Sequence, residues 1–261
     1  MTGLDVGPDE VAVVVGGTGA VGEAVVRRII ALGLPVIAVA RSADSLADLV
    51  AQTGGEGGAV VEACEADVST DESVARIESA VGSRRVRLAL FAGGLAVAGS
   101  ADAIAASELA RAADVKVGGT VRLLHAVRDH LADDARLIAI GGSLGFEPGP
   151  MDAGPGTVNA ALANLMRQVS KLYGPKGLVT MMIAPGPLDT PRLRAVAARR
   201  AEESGRKTDE VYGDYVSATS IGALPTADDV AWLAETLLHP QARALHGNVL
   251  HPDGGVRHGV G

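Results

Sequence analysis

A chain of 261 residues, 48% of them hydrophobic, is long enough to build one α/β domain around a buried core. The formal net charge is −8, and we interpret the densest basic runs, at 84–87 and 192–200, as solvated faces. Because nucleic-acid backbones are bound by clustered Lys and Arg, the charge and its distribution argue against a nucleic-acid partner. Cys64 is the one cysteine, so an intrachain disulfide is impossible and a reducing compartment is expected. The sequence has neither a signal-peptide pattern nor an apolar run of membrane-spanning length, so we expect a cytoplasmic protein without a membrane partner.

Short β-branched runs alternate with helical patterns along the chain. The runs predict seven strands, at 11–15, 35–40, 59–63, 86–92, 136–140, 178–184 and 248–250. The helical patterns lie at 20–32, 45–52, 71–81, 107–131, 156–173 and 227–238, with a long Gly- and Pro-rich loop expected at 145–156. Because strands that are apolar on both faces must be covered on both, we predict an α/β fold of Rossmann type: a doubly wound, seven-stranded parallel sheet with helices on both faces. Residues 1–261 then form a single domain, with a helical excursion at about 191–223.

A glycine-rich turn follows the first predicted strand and leads into the first predicted helix. Its residues are Gly16, Gly17, Thr18, Gly19, Ala20, Val21 and Gly22. Glycines at such a turn let the backbone approach a pyrophosphate, and the N–H groups at the start of the helix can bind that anion. A purely structural turn is the alternative, but the strand before and the helix after favour dinucleotide binding.

The end of the second strand indicates which dinucleotide binds. A carboxylate that would hold the ribose 2′-hydroxyl of NAD is missing, since Ala40 occupies that position and Arg41 and Ser42 follow. Ala40 leaves room for a 2′-phosphate, and the Arg41 guanidinium can pair with it. We therefore predict NADP(H) in preference to NAD(H), although a lone Arg after a strand can also be a solvated residue.

Further segments, in order along nearly the whole chain, resemble the short-chain dehydrogenase/reductase family. Those that resemble the family's cofactor contacts are Asp67 and Val68 after the third strand, Ala92 and Gly93 after the fourth, and Pro185, Gly186, Leu188 and Thr190 after the sixth. Ser143 matches the family's substrate-orienting serine, and the segments 174–177 and 247–255 resemble its turn before the sixth strand and its last strand and turn. The resemblance implies a redox enzyme with a small-molecule substrate, assembled as a homodimer or homotetramer.

The departures from the family pattern fall where its acid–base chemistry is done. Counting back from 174–177 places the family's Tyr and Lys, four residues apart, at Pro155 and Asn159, and the Asn of its central helix falls at Lys116. Proline has no proton to donate, whereas Asn159 can still bond ribose hydroxyls. Of the four expected catalytic positions, only Ser143 keeps the family's residue.

Other side chains could replace the missing proton donor. The candidates are Lys116, Asp152, Tyr212 and Tyr215, each of which also has a structural interpretation as a buried stem, a loop residue or lid packing. The histidines show no metal-ligand spacing, and no metal site is predicted. Two hypotheses remain: an NADP(H)-dependent oxidoreductase with a non-standard site, acting on a substrate such as a conjugated alkene or imine, or a redox-inactive module for nucleotide binding, sensing or assembly.

Overall fold

In the computed structural model, which describes residues 6–54, 59–95, 97 and 99–259, seven strands form one parallel sheet. The strands are β1 Glu10–Val15, β2 Val36–Ala40, β3 Val61–Glu65, β4 Arg85–Phe91, β5 Leu131–Ile140, β6 Val179–Ile183 and β7 Val249–Leu250. Their order across the sheet is β3-β2-β1-β4-β5-β6-β7. The predicted fold class is confirmed.

Helices cover both faces of the sheet. They are α1 Ala20–Ala31, α2 Ala43–Thr53, α3 Glu72–Val81, α4 Ala106–Ala113, α5 Gly119–Val127, α6 Ala153–Tyr173, α7 Pro191–Ser204, α8 Thr208–Ser217 and α9 Ala227–Thr236. Alternate residues of β1 enter different cores: Val13 packs in the cluster that holds Leu123 of α5 and Leu162 of α6. Val14 packs in the cluster that holds Val25 of α1 and Ala231 of α9. This alternation explains why the strands read as continuous apolar runs.

The strand order reverses direction between β1 and β4. From β1 the chain proceeds outward to β2 and β3, then crosses back to place β4 on the other side of β1. In a doubly wound sheet the connections diverge at this point and leave a crevice beyond the carboxyl ends of the strands, where ligands bind. The crevice therefore opens above β1 and β4.

The central helix predicted at 107–131 is not continuous. A π-helical turn at Asp114–Gly118 separates α4 from α5, and α5 ends at Val127. Strand β5 begins at Leu131, earlier than predicted, and passes through Asp134, whose φ is 58°. The sequence analysis predicted one continuous helix here, because it found no Gly–Pro breaker or other signal that marks a π turn.

The loop predicted at 145–156 is also shorter in the structure. A 3₁₀ turn occupies Ser143–Gly145, and α6 begins at Ala153, so Pro155 lies in the first turn of the helix. Gly and Pro there suggested a loop, but proline is well tolerated in a first turn, where its missing N–H has no intrahelical acceptor. The predicted excursion at 191–223 contains α7 and α8.

In the described ranges, none of the helices has the length and apolarity needed to cross a membrane.

Candidate active site

The glycine-rich turn closes the crevice between β1 and α1. Gly16 has a φ of 78°, and a Cβ atom there would lie 2.9 Å from the carbonyl carbon of Ala92, next to Gly93. A Cβ atom at Gly22 would lie 2.0 Å from the carbonyl oxygen of Gly16. Glycine is therefore required at both positions, one for its conformation and one for the close approach of the helix to the turn.

The start of α1 is open. Gly19 is its N-cap and supplies no side-chain cap, so the first N–H groups of this twelve-residue helix have no acceptor from the cap residue. Gly17, Thr18 and Val21 complete the turn, and Gly19 is exposed at its tip. The open helix end and the exposed turn together form a cradle suited to an anion.

Arg41, Ser42, Asp67 and Val68 lie at the carboxyl ends of β2 and β3. The pKa of Asp67 is lowered, chiefly because its carboxylate accepts hydrogen bonds from the N–H and hydroxyl of Ser69 at 2.9 and 2.8 Å, and more weakly because Arg41 is near. Arg41 is exposed and has no ion-pair partner within the described residues. The Ser42 hydroxyl caps α2 by accepting from the Ser45 N–H at 3.2 Å, a structural contact that the sequence analysis did not identify.

The segment after β6 lies against the segment after β5. The Ser143 N–H donates to the Pro185 carbonyl at 2.8 Å, and a Cβ atom at Gly186 would lie 2.9 Å from the Asp253 Cβ. Leu188 is partly buried. Thr190 caps α7, its hydroxyl accepting from the Leu193 N–H at 3.4 Å. The residues predicted to contact the nicotinamide end of the cofactor thus lie together at one edge of the crevice.

Lys116 and Asn159 meet at the floor of the crevice. Lys116 lies in the π turn, and its Nζ donates to Oδ1 of Asn159, on α6, at 2.9 Å. Asn159 is 5% exposed, and Pro155 precedes it by one turn of the helix. Burial, and to a lesser extent the nearby Arg192 of α7, lowers the pKa of Lys116 to about 8. Among described residues no metal-binding group of His, Cys, Asp or Glu forms here or elsewhere.

A cavity of about 710 Å³ lies between the residues before α6 and the helices α7 and α8. Asp152 and Tyr215 line it, joined by Arg200, which donates to the Tyr215 hydroxyl at 2.6 Å and lies 3.8 Å from the Asp152 carboxylate. Tyr212 is bound differently, since its hydroxyl donates to Asp189 at 2.7 Å. The sequence analysis missed Arg192 and Arg200, because it treated the run 192–200 as a solvated face. Only the helix packing shows that these two side chains face the crevice and the cavity.

Comparison with known proteins places this sheet and site in a family. A family model described as enoyl-(acyl carrier protein) reductase matches residues 17–257. The short-chain reductase protein NovJ of Streptomyces niveus is 28% identical, across 97% of this chain and 96% of the relative. A short-chain dehydrogenase from Burkholderia cenocepacia, solved in complex with NADP, is 25% identical with a TM-score of 0.81, covering 95% of this chain and 98% of that one.

A more distant structure agrees in fold. The L-sorbose reductase of Gluconobacter frateurii, solved with NADPH and L-sorbose, superposes with a TM-score of 0.90 at 17% identity, over 98% of this chain and 99% of that chain. The sheet order and crevice define a nucleotide-binding protein of the doubly wound class. The chain belongs to the short-chain dehydrogenase/reductase family of oxidoreductases, whose fold binds NAD(P).

By the motif count, Lys116 stands at the position of the family's Asn and Asn159 at the position of its Lys, which predicts an exchange of the two residues. The hydrogen bond between the two side chains keeps an ammonium and an amide side by side. On the same count Pro155 stands at the position of the family's Tyr, and the proline side chain has no proton to donate.

Proposed function

We propose that the chain is an NADP(H)-dependent oxidoreductase that acts on a small molecule through an active site without the family's Tyr and Lys pair. The observation that carries this proposal is the cradle between β1 and α1. Gly16 and Gly22 leave no space for a side chain, since added Cβ atoms would lie 2.9 Å from the Ala92 carbonyl carbon and 2.0 Å from the Gly16 oxygen. The residues present therefore fit a dinucleotide pyrophosphate.

Which residues would hold the cofactor follows from their places around the crevice. The turn from Gly16 to Gly22 would hold the pyrophosphate, and Asp67 and Val68 would contact the adenine. The nicotinamide end would be bordered by Ala92, Gly93 and the segment 185–190, which includes Gly186 and Leu188. Asn159 would reach the nicotinamide ribose. When bound, the cofactor supplies or accepts a hydride.

The preference for NADP(H) rests on Arg41. It follows β2, where Ala40 presents no carboxylate, and it has no ion-pair partner among described residues. An unpaired guanidinium at this corner suits a 2′-phosphate. The NADP complex of the Burkholderia cenocepacia relative supports the same preference.

The substrate is one whose reduction does not depend on a tyrosine at position 155. Conjugated alkenes and imines meet this condition, and the enoyl reductase description of the matching family model agrees with the first. In this proposal the buried Ser143, in the 3₁₀ turn after β5, would orient such a substrate, and the cavity lined by α7 and α8 would receive it. We also propose, from the family membership, a homodimer or homotetramer in the cytoplasm. Light scattering measures the oligomeric state.

The alternative is a redox-inactive member that binds the nucleotide for sensing or assembly. Pro155 favours it, because proline at the first turn of α6 cannot protonate a carbonyl. The double variant Pro155→Tyr/Asn159→Lys distinguishes the two. A gain of carbonyl reduction by an otherwise inactive chain supports the alternative, and loss of an existing activity contradicts it.

Calorimetry with NADPH and NADH tests the proposed function. Arg41→Ala should weaken NADPH binding about 10- to 150-fold and leave NADH binding unchanged, because a charge-assisted contact to the 2′-phosphate is worth about 1.5–3 kcal/mol. Arg128→Ala, which removes an exposed guanidinium just past the end of α5, is the matched control. If neither dinucleotide binds the wild-type chain, the proposed function is wrong; equal effects of Arg41→Ala on both would contradict only the NADP(H) preference.

A further inference from the structure

The Lys116 ammonium has hydrogen-bonding capacity that the described residues do not use. An ammonium has three N–H donors, and the one hydrogen bond that Nζ makes within the described residues goes to Asn159. A Cβ atom at Gly94 would lie 3.9 Å from Nζ, and Gly94 is exposed at the carboxyl end of β4. No side chain at position 94 therefore stands between the ammonium and the crevice.

The charge of Lys116 is also uncompensated. None of the described carboxylates lies within ion-pair distance of Nζ, and the one charged group that shifts its titration is Arg192 of α7, which is itself cationic. Its hydrogen-bond partner on α6, Asn159, is neutral. A partly buried ammonium without a counter-charge destabilises the fold, so a purely structural role gives no reason for it.

The neighbours of Lys116 hold it in place. The π turn that carries it is braced by Arg122, which lies 3.0 Å from the Asp114 carboxylate, and by the Thr120 hydroxyl, which donates to the Lys116 carbonyl at 2.7 Å. Its partner Asn159 packs closely on the segment after β5, since Cβ atoms at Gly142 and Gly145 would each lie 2.8 Å from Asn159 atoms. π turns within helices are frequent at functional sites.

We propose that Lys116 is the proton donor of the reduction and that Asn159 is its positioning residue. The inference rests on the proposed function. Bound NADPH would supply the hydride for the new C–H bond of the substrate and would be left as NADP⁺. The π electrons of the substrate would then move to its oxygen, in a carbonyl or an enolate, or to its nitrogen, in an imine. At that atom an O–H or N–H bond forms as an N–H bond of the Lys116 ammonium breaks, and the amine left behind takes a proton from water.

Acylation of the cofactor-free protein tests the state of the amine without any turnover. Acetic anhydride labelling across a pH series, quantified by peptide mass spectrometry, compares Lys116 with the exposed Lys171, Lys176 and Lys207. Lys116 should become reactive with a midpoint near pH 8, because burial lowers the pKa of its ammonium. A Lys116 midpoint that coincides with those of the exposed lysines would overturn the inference.

Kinetics test the transfer itself, with NADPH oxidation followed against 2-cyclohexen-1-one, ethyl acetoacetate and 1-pyrroline. Lys116→Met should lower kcat by about 100- to 10,000-fold and leave KM and NADPH affinity within about 3-fold, as for loss of a positioned acid. Lys171→Met is the matched control and should match the wild type. The wild-type kcat should fall above pH 8, because the donor must be protonated.

The exchange of the two side chains gives a rescue experiment. Lys116→Asn should be as inactive as Lys116→Met, and adding Asn159→Lys should restore at least about 10-fold, because the ammonium returns to the same contact from α6. Normal kcat in Lys116→Met, with NADPH bound, would overturn this inference and leave the proposed function intact. Absence of NADPH binding or of NADPH consumption with every probe would contradict both.

Discussion

At the scale of single residues, Lys116 combines a function with an energetic cost. Its ammonium is partly buried beside Arg192, with Asn159 as its one acceptor in the described chain, so the charged form is less stable in the folded protein than in water. Proton donors with a pKa near the working pH are the most effective, and burial is the usual way to lower the pKa of a lysine to that range. The side chain destabilises the fold for the same reason that it suits catalysis.

This cost has a predictable pH dependence. The Lys116 pKa is 10.5 in the unfolded chain and about 8 in the folded one, so between these values the unfolded state binds more protons and stability rises with pH. The free energy of unfolding of the wild type should therefore rise relative to that of Lys116→Met, by roughly 2 kcal/mol from pH 8 to pH 10. Urea unfolding across this range measures the difference, and a difference that stays constant would contradict the shifted pKa.

At the scale of elements, the cradle between β1 and α1 could be predicted from sequence, but the contact between Lys116 and Asn159 could not. The positive φ of Gly16 and the close contact of Gly22 with the Gly16 oxygen are local, since both arise where one strand turns into the next helix. The contact between Lys116 and Asn159 joins residues 43 positions apart and depends on a π turn that helical periodicity does not encode. Counting motif positions therefore predicted separate losses at Lys116 and Asn159, whereas the structure joins the two side chains by a hydrogen bond.

The glycines of the cradle can be compared directly. Gly22→Ala should abolish measurable NADPH binding and destabilise the fold, because its Cβ atom would lie 2.0 Å from the Gly16 oxygen, which is backbone and cannot move aside. At Gly19 the nearest atom to an added Cβ, the same oxygen, is 3.4 Å away, so Gly19→Ala should fold normally. Thermal denaturation and calorimetry on the two variants check this; equal stability would contradict the packing described for the turn.

At the scale of the whole molecule, the strand order creates the site. Because β4 lies beside β1, the cradle, the ends of β4 and β5, and the start of α6 surround one crevice, and α7 and α8 cover the adjoining cavity. The alternation of strands and helices in the sequence was sufficient to predict the doubly wound sheet. The placement of Arg192 and Arg200 was not predictable, since it depends on how α7 packs against the rest of the chain.

The central claim is that the crevice binds NADP(H) with its reacting end beside Lys116. A crystal structure of the wild-type chain with NADP⁺ tests it most directly. We expect the 2′-phosphate beside Arg41, the pyrophosphate on the turn from Gly16 to Gly22, and space beside nicotinamide C4 for a substrate oxygen within about 3.5 Å of the Lys116 Nζ. A nicotinamide directed away from Lys116, or a crevice without NADP⁺ at saturating concentration, would contradict the account.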